Sequence, residues 1–439
     1  MPRLPPSLLW RANRINPHLP RLLRECRDLE SAQNELRWMR EHVESLENSA
    51  GQKQGGASAT SLDRWSAEVR LRKMVNERSR GKPLQYILGD QPFGNLDILC
   101  RPGVLIPRDD TEPYTTRTAR WIMTNVLKKN EEKDDVFLEG TNQILRGEQP
   151  LRILDLCTGT GCISLHLHSL LAPHFPNIQI VGVDISTQAL DLARENLAHN
   201  IAKGNLDPRA SDEVHFVQAD ILKEPGLEAD IIPSPSPSGI GIDIPDLNSA
   251  LSNYVSDGRW DVIISNPPYI SLESYNNGTT KRSVRLYEPK LALVPPPVIK
   301  PPDYATRSPQ KELENGDPSI LDANFTENPA HIRSDLFYPR LIDLAVRYRA
   351  FLTVAECGDL DQAVRVRNLM RRCGRTCENV DRKSYRTTAT EWLFYEPEDD
   401  VHVPLPPLLE FCEKLEREVD YGAWKGSAAV VMTRERKRA

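Results

Sequence analysis

Apolar positions recur with two different periods along this chain, and the change of period divides it. Leu36, Met39, Val43 and Leu46 follow at steps of three, four and three, the spacing of one face of an α-helix. A second helical stretch, "LDRWSAEVRLRKMVNERSRG" (62–81), closes on Gly81. Between them, "SAGQKQGGASATS" (49–61) has the composition of a flexible linker. From Arg152 onward the pattern is short β-branched runs alternating with helical ones. "RILDL" (152–156), "IQIVGVDI" (178–185), "VHFVQADIL" (214–222), "WDVIISN" (260–266) and "AFLTVAEC" (350–357) read as strands. "CTGTGCISLHLHSLL" (157–171) reads as a glycine loop opening a helix, and 187–201 and 361–372 read as helices. Such alternation predicts a parallel α/β sheet with crossover helices. Ligands of these sheets bind beyond the C-terminal ends of the strands.

Three stretches break the rhythm: "PSPSPSG" (233–239), the proline- and charge-rich 295–318, and "YEPEDDVHVPLPPLL" (395–409). They read as inserted surface loops, and 35 prolines in 439 residues fit that view. No apolar run approaches the roughly 18 to 20 residues of a membrane span, so no membrane partner is expected. A net charge of −6 and a pI of about 5.9 argue against direct DNA binding, which rests on basic phosphate contacts. The eight cysteines (26, 100, 157, 162, 357, 373, 377, 412) form no C-x-x-C pair, so free thiols and no metal site are expected. The first 24 residues hold five arginines and no acid, the bias of a mitochondrial targeting segment. Pro17 and Pro20 interrupt any long helix there, and a plain basic tail is the alternative.

The candidate chemistry lies at the strand ends. Asp155, Asp184 and Asp220 end three successive strands and Asn266 ends the fourth. Each alone could cap a helix; four at one sheet edge point to a bound ligand. Gly159 and Gly161 permit a tight turn and close approach of a ligand. The loop lacks the G-x-x-x-x-G-K-[ST] phosphate cradle, which argues against a triphosphate. Acids at the rim suit a ligand with hydroxyls, an amine and positive charge. S-adenosylmethionine fits, and NAD is the competitor. "SNPPYI" (265–270) then raises its own question. Two prolines give no N–H and fix their φ, and they push Asn266 toward extended geometry. The turn holds an amide, a bare carbonyl and an aromatic ring rigidly at a strand end.

A glycine loop, a ribose-binding acid and "NPPY" in this order resemble the amino-group methyltransferases that use S-adenosylmethionine. "NPPY" occurs in both DNA adenine-N6 and HemK/PrmC-type protein-glutamine N5-methyltransferases. "PLQYILGDQPFGNLDILCRPGVLIPRDDTE" (83–112) and "VRLYEPKLALV" (284–294) resemble segments flanking the catalytic motif in the HemK/PrmC family, with a weaker likeness at "VDYGAWKGSAAVVM" (419–432). The resemblance implies a Rossmann-like, seven-stranded S-adenosylmethionine-dependent methyltransferase domain preceded by a small helical domain. The implied layout is a mitochondrial targeting segment at 1–24, a helical substrate-binding domain at 25–82 and a connecting segment at 83–112. The methyltransferase domain follows at 113–439, with inserted loops near 226–258, 295–330 and 374–418. The implied activity is methylation of the Gly-Gly-Gln glutamine of a class-I peptide chain release factor, by a monomer in the mitochondrial matrix, with the cytoplasm as alternative. The implied catalytic set is Asn266, Pro267, Pro268 and Tyr269. The implied cofactor set is Asp155, Cys157, Thr158, Gly159, Thr160, Gly161, Asp184, Asp220, Ile221 and Asn266. Two departures stand out: Cys157 replaces the family's usual glycine, and the family's "LIPR-PETE" reads "LIPRDDTE" (105–112). A nucleic-acid adenine-N6 methyltransferase is the runner-up, and a catalytically idle scaffold is a third reading.

Overall fold

A computed structural model describes residues 3–53, 61–127, 141–223, 244–255, 257–297, 333–380, 385–393 and 428–436. The chain separates into two compact units.

The first unit comprises Met1–Gln91, Leu99–Ile106 and Gly278–Pro289. Its helices are α1 (Pro6–Ile15), α2 (Leu19–Cys26), α3 (Leu29–Lys53), α4 (Ser61–Ser79) and α5 (Leu84–Leu88). The expected stripe on α3 is buried at Leu36, Met39 and Val43, but Leu46 is exposed. These side chains share a core with Ala12, Leu19, Leu22, Leu23, Leu71 and Val75. Residues 1–24 thus contribute core side chains, which a basic tail does not. Pro20 sits in the first turn of α2, where its missing N–H costs nothing. The predicted linker begins late: helix continues to Lys53, and 54–60 lies outside the described residues. Arg78 Nε and Nη2 donate to Glu35 Oε2 and Oε1 at 2.7 and 2.8 Å, a bidentate pair inside the helical core. The two segments that flank the catalytic motif in sequence meet here. Tyr86, Cys100 and Ile106 cluster with Tyr287, and the Ile106 amide donates to Glu288 Oε2 at 3.2 Å.

The second unit comprises Pro92–Ile98, Pro107–Asn277 and Lys290–Ala439. The short strands β1 (Asp90–Phe93) and β2 (Leu96–Leu99) pair with each other. The main sheet holds β3 (Leu151–Leu156), β4 (Ile178–Asp184), β5 (Val214–Gln218), β6 (Val262–Ser265), β7 (Leu352–Cys357), β8 (Tyr385–Leu393) and β9 (Ala428–Arg436). Their order is β5-β4-β3-β6-β7-β9-β8. The first five are parallel, and β9 runs antiparallel to both neighbours. Ile153 and Leu154 fall into different hydrophobic clusters, as do Val262 and Ile263. Both faces of the sheet are therefore covered, as parallel sheets require. The order reverses between β3 and β6, and such a switch point opens a ligand crevice at the carboxyl ends.

Two of the stretches read as insertions contain regular structure. Leu247–Leu251 is a helix capped by Asp246, whose side chain accepts from the Ser249 amide. Tyr385–Leu393, within the expected 374–418 loop, is a strand of the main sheet paired along its length with β9. Its sequence carries threonines and a glutamate rather than an apolar run. Edge strands are not enclosed on both sides and need no such run. The expected loops at 233–239 and 395–409, and all of the one at 295–330 beyond residue 297, lie outside the described residues.

Candidate functional site

Each predicted residue of the glycine-loop side falls at the carboxyl edge of the sheet, though not always where the strand was expected to end. Asp155 is the fifth residue of β3, Asp184 is the last of β4, and Asp220 lies two residues beyond β5. Asp220 is held there by a parallel bridge to Asp246. Asp155 is fully buried, and its Oδ2 accepts from the Thr158 and Ser164 hydroxyls, both at 2.6 Å. Its Oδ1 is buried and, among the described residues, finds no hydrogen-bond partner. Burial pushes this carboxyl up to about 6. Asp184 accepts from the Gly159 amide (Oδ2, 2.9 Å) and the Ser186 amide (Oδ1, 2.9 Å), and burial raises its pKa as well.

The loop between Asp155 and the helix Cys162–Leu171 turns left-handed three times, at Cys157 (φ 64°), Gly159 (φ 56°) and Gly161 (φ 78°). A Cβ on Gly161 would stand 2.9 Å from the Phe216 ring, whereas a Cβ on Gly159 would meet nothing. Gly161 is thus required for packing, and Gly159 leaves open space above the loop. Cys157 occupies a conformation costing an L-residue roughly 1–2 kcal/mol, which is the physical reason a glycine suits this position. Thr158 and Thr160 are buried, with the Thr160 carbonyl accepting from Asn196 Nδ2 at 3.0 Å. Ile221 is buried, and its carbonyl accepts from Nε of the fully buried Arg340 at 3.0 Å. Arg340 was not foreseen. A buried guanidinium leaves no signature in a strand-and-helix pattern.

Asn266 stands one residue past β6, beside the end of β3. Ser265 Oγ donates to the Leu156 carbonyl at 2.8 Å, locking these two strand ends together. Pro267 and Pro268 are buried, and Asn266 and Tyr269 are half-buried. Asn266 Nδ2 donates to Thr111 Oγ1 at 3.3 Å. Thr111 Oγ1 in turn donates to Glu356 Oε2 at 2.9 Å, and the Tyr269 hydroxyl donates to Glu356 Oε1 at 3.0 Å. Glu356 is 1% exposed, and burial pushes its carboxyl up to about 7 against the opposing hydroxyl hydrogen bonds. The fully enclosed Gln362 donates through Nε2 to Asp335 Oδ1 at 2.8 Å and accepts from the Gly358 amide at 2.8 Å. A Cβ on Gly358 would lie 2.8 Å from the Tyr269 ring, so glycine there makes room for the aromatic side chain.

Thr111, Glu356, Gly358 and Gln362 were missed by sequence reasoning. Two signals were present. Glu356 is an acid near a strand end, the same mark that picked out Asp155 and Asp184. Thr111 belongs to "LIPRDDTE", where the lost proline drew attention and the retained threonine did not.

Residues 148–270 match a methyltransferase-domain family. The chain is 33% identical over 294 residues to the mitochondrial MRF1 N(5)-glutamine methyltransferase MTQ1 of Saccharomyces cerevisiae, covering 67% of this chain and 68% of that protein. It is 33% identical over 296 residues to the probable MRF1 mitochondrial N(5)-glutamine methyltransferase of Schizosaccharomyces pombe, covering 66% and 73%. It is also 29% identical over 227 residues to the release factor glutamine methyltransferase of Chlorobaculum tepidum, covering 52% and 57%.

Proposed function

The chain belongs to the release factor N5-glutamine methyltransferases, and on that premise we propose how its residues serve that reaction. The substrate is the glutamine of the Gly-Gly-Gln motif in a class-I mitochondrial release factor, and the cofactor is S-adenosylmethionine. The observation that carries the reading is the placement of the Asn266–Tyr269 turn and the glycine loop on the adjoining ends of β6 and β3. An amide-binding turn and a cofactor loop thus share one edge of the sheet.

The loop residues fit the cofactor on two counts. Gly159 leaves open space for close approach, and the buried Asp155 Oδ1 awaits a donor, which an amine supplies. S-adenosylmethionine supplies an electrophilic methyl group on a sulfonium. Asp184 would hold ribose hydroxyls with the lone pairs its two amide partners leave. Cys157, Thr158, Gly159, Thr160 and Gly161 form the loop, and with Asp220 and Ile221 they would supply the remaining cofactor contacts.

Asn266 Oδ1 and the Pro267 carbonyl accept the two N–H bonds of the glutamine side chain. An amide nitrogen is a weak nucleophile, so orientation does the work that a base cannot. Holding the nitrogen in line supplies several kcal/mol of the barrier, and fixed acceptors stabilise charge developing on it. Pro268 keeps the turn rigid, and Tyr269 offers its ring to the cationic centre. The helical unit, with Trp10 and Trp65 exposed, docks the protein substrate. The enzyme works as a monomer in the mitochondrial matrix. Removal of residues 1–24 would take Ala12, Leu19, Leu22 and Leu23 out of the helical core, so this segment stays on the mature protein.

The test incubates the protein with labelled S-adenosylmethionine and a mitochondrial release factor carrying Gly-Gly-Gln or Gly-Gly-Ala. Label confined to Gly-Gly-Gln is expected. Equal label on both would sink the glutamine reading, and label on DNA would support an adenine methyltransferase instead. A fusion of the full chain to a fluorescent protein, beside residues 1–24 alone fused to the same protein, reads the address.

A further inference from the structure

We propose that Glu356 is a positioning residue that sets, through Thr111, which end of the Asn266 amide faces the substrate. The inference rests on the glutamine-methylating role of Asn266 given above. The oxygen and nitrogen of a carboxamide are alike in shape, so only hydrogen bonding decides how it is turned. For Asn266 to hold a substrate NH₂ group, its Oδ1 must face the substrate. Turned the other way it would present N–H to N–H and repel it.

With Glu356 ionised, the hydrogen-bonded chain allows one arrangement. An ionised carboxylate only accepts. Thr111 has a single hydroxyl proton, and Glu356 Oε2 at 2.9 Å takes it. Thr111 Oγ1 is left with lone pairs alone, so its contact with Asn266 at 3.3 Å must be a donation from Nδ2. The nitrogen end of the amide is thereby held at Thr111, and the oxygen end is left for the substrate. On the other side of the turn, Glu356 Oε1 takes the Tyr269 hydroxyl proton at 3.0 Å. One carboxylate therefore sets a side chain on each flank of the two prolines. Nothing near it in sequence does this: Thr111, Asn266 and Tyr269 lie 245, 90 and 87 positions from Glu356.

The test uses the full chain and the Gly-Gly-Gln release factor, with the variants Thr111→Val, Thr111→Ser and Glu356→Gln. Thr111→Val keeps the shape and loses the hydroxyl; Thr111→Ser keeps the hydroxyl. Glu356→Gln keeps the shape and brings N–H donors to a position that must only accept. Thr111→Val and Glu356→Gln are expected to lower kcat about tenfold or more, with KM for S-adenosylmethionine within about twofold of wild type. Thr111→Ser should recover most of the rate. Selective ¹⁵N labelling of asparagine reads the orientation apart from turnover: the Asn266 NH₂ should exchange with solvent faster in Thr111→Val and stay protected in Thr111→Ser. Wild-type kcat in Thr111→Val, or an equal loss in Thr111→Ser, would overturn the proposal. If wild type itself leaves Gly-Gly-Gln unmethylated, the substrate reading fails while the exchange experiment still decides: an unchanged Asn266 signal in Thr111→Val refutes the orientation.

Discussion

The two halves of the sheet edge are held by different means. At β3 and β4 the carboxylates are fixed from nearby in sequence. Asp155 is held by hydroxyls three and nine residues on, and Asp184 by the amide two residues on and by one 25 residues back. At β6 and β7 the partners are remote: Thr111 to Glu356 spans 245 residues, Asn266 to Thr111 spans 155 and Tyr269 to Glu356 spans 87. The first half is built largely from backbone amides and short hydroxyl side chains in one loop. The second half is a chain of side chains that exists only once the sheet and the Thr111–Ile122 helix are assembled. On the proposed assignment, the cofactor side of the site is written locally, whereas the side that orients a planar amide draws on rigid elements from across the domain.

Asn266→Ala tests the division most severely. It removes the amide acceptor, and methyl transfer should fall by about 100-fold or more. Calorimetry should find S-adenosylmethionine binding largely intact. Wild-type turnover in this variant would show that the β6 edge does not position the substrate.

Gly358→Ala comes next. The new methyl group would press on a Tyr269 ring whose hydroxyl is tethered to Glu356, so the ring must tilt. A loss of about tenfold in kcat is expected, with cofactor affinity unchanged. A matching loss of cofactor affinity would mean that the two halves are not separable.

The pH dependence sharpens the contrast further. Glu356 must be ionised to accept from both hydroxyls, so kcat should rise as pH rises through about 7. The Thr111, Tyr114 and Tyr269 hydroxyls and the Asp110 carboxylate all bear on this group. Stability runs the other way. A carboxyl whose pKa rises on folding binds protons more tightly folded than unfolded, so its contribution is largest at low pH and is lost as pH rises. For Glu356 the window runs from 4.5 to about 7 and for Asp155 from 3.8 to about 6. Thermal melts across pH 5 to 7 should show this loss, and Glu356→Gln should remove its upper part.

Cys157→Gly should have the smallest effect. Relief of the left-handed conformation, roughly 1–2 kcal/mol, is offset by the greater freedom of unfolded glycine, roughly 0.5–1 kcal/mol. A rise in Tm of a few degrees at most is expected, with kcat unaltered.

The sequence by itself determined the parallel α/β core, because β-branched runs between helical ones can be buried in few other ways. It also determined the glycine loop and the acids beside it, because Asp155 meets partners three and nine residues on and Asp184 meets partners two and 25 residues away. It pointed to the Asn266 turn through its prolines, whose constraint is local. It did not reveal β8, whose edge position relaxes the apolar pattern that betrays inner strands. Nor did it reveal the pairing of Thr111 and Glu356 with that turn, or the buried Arg340 behind Ile221. Those assignments rest on contacts between residues 87 to 245 positions apart. No local periodicity records such contacts, and only the packed sheet and helices bring their partners within hydrogen-bonding reach.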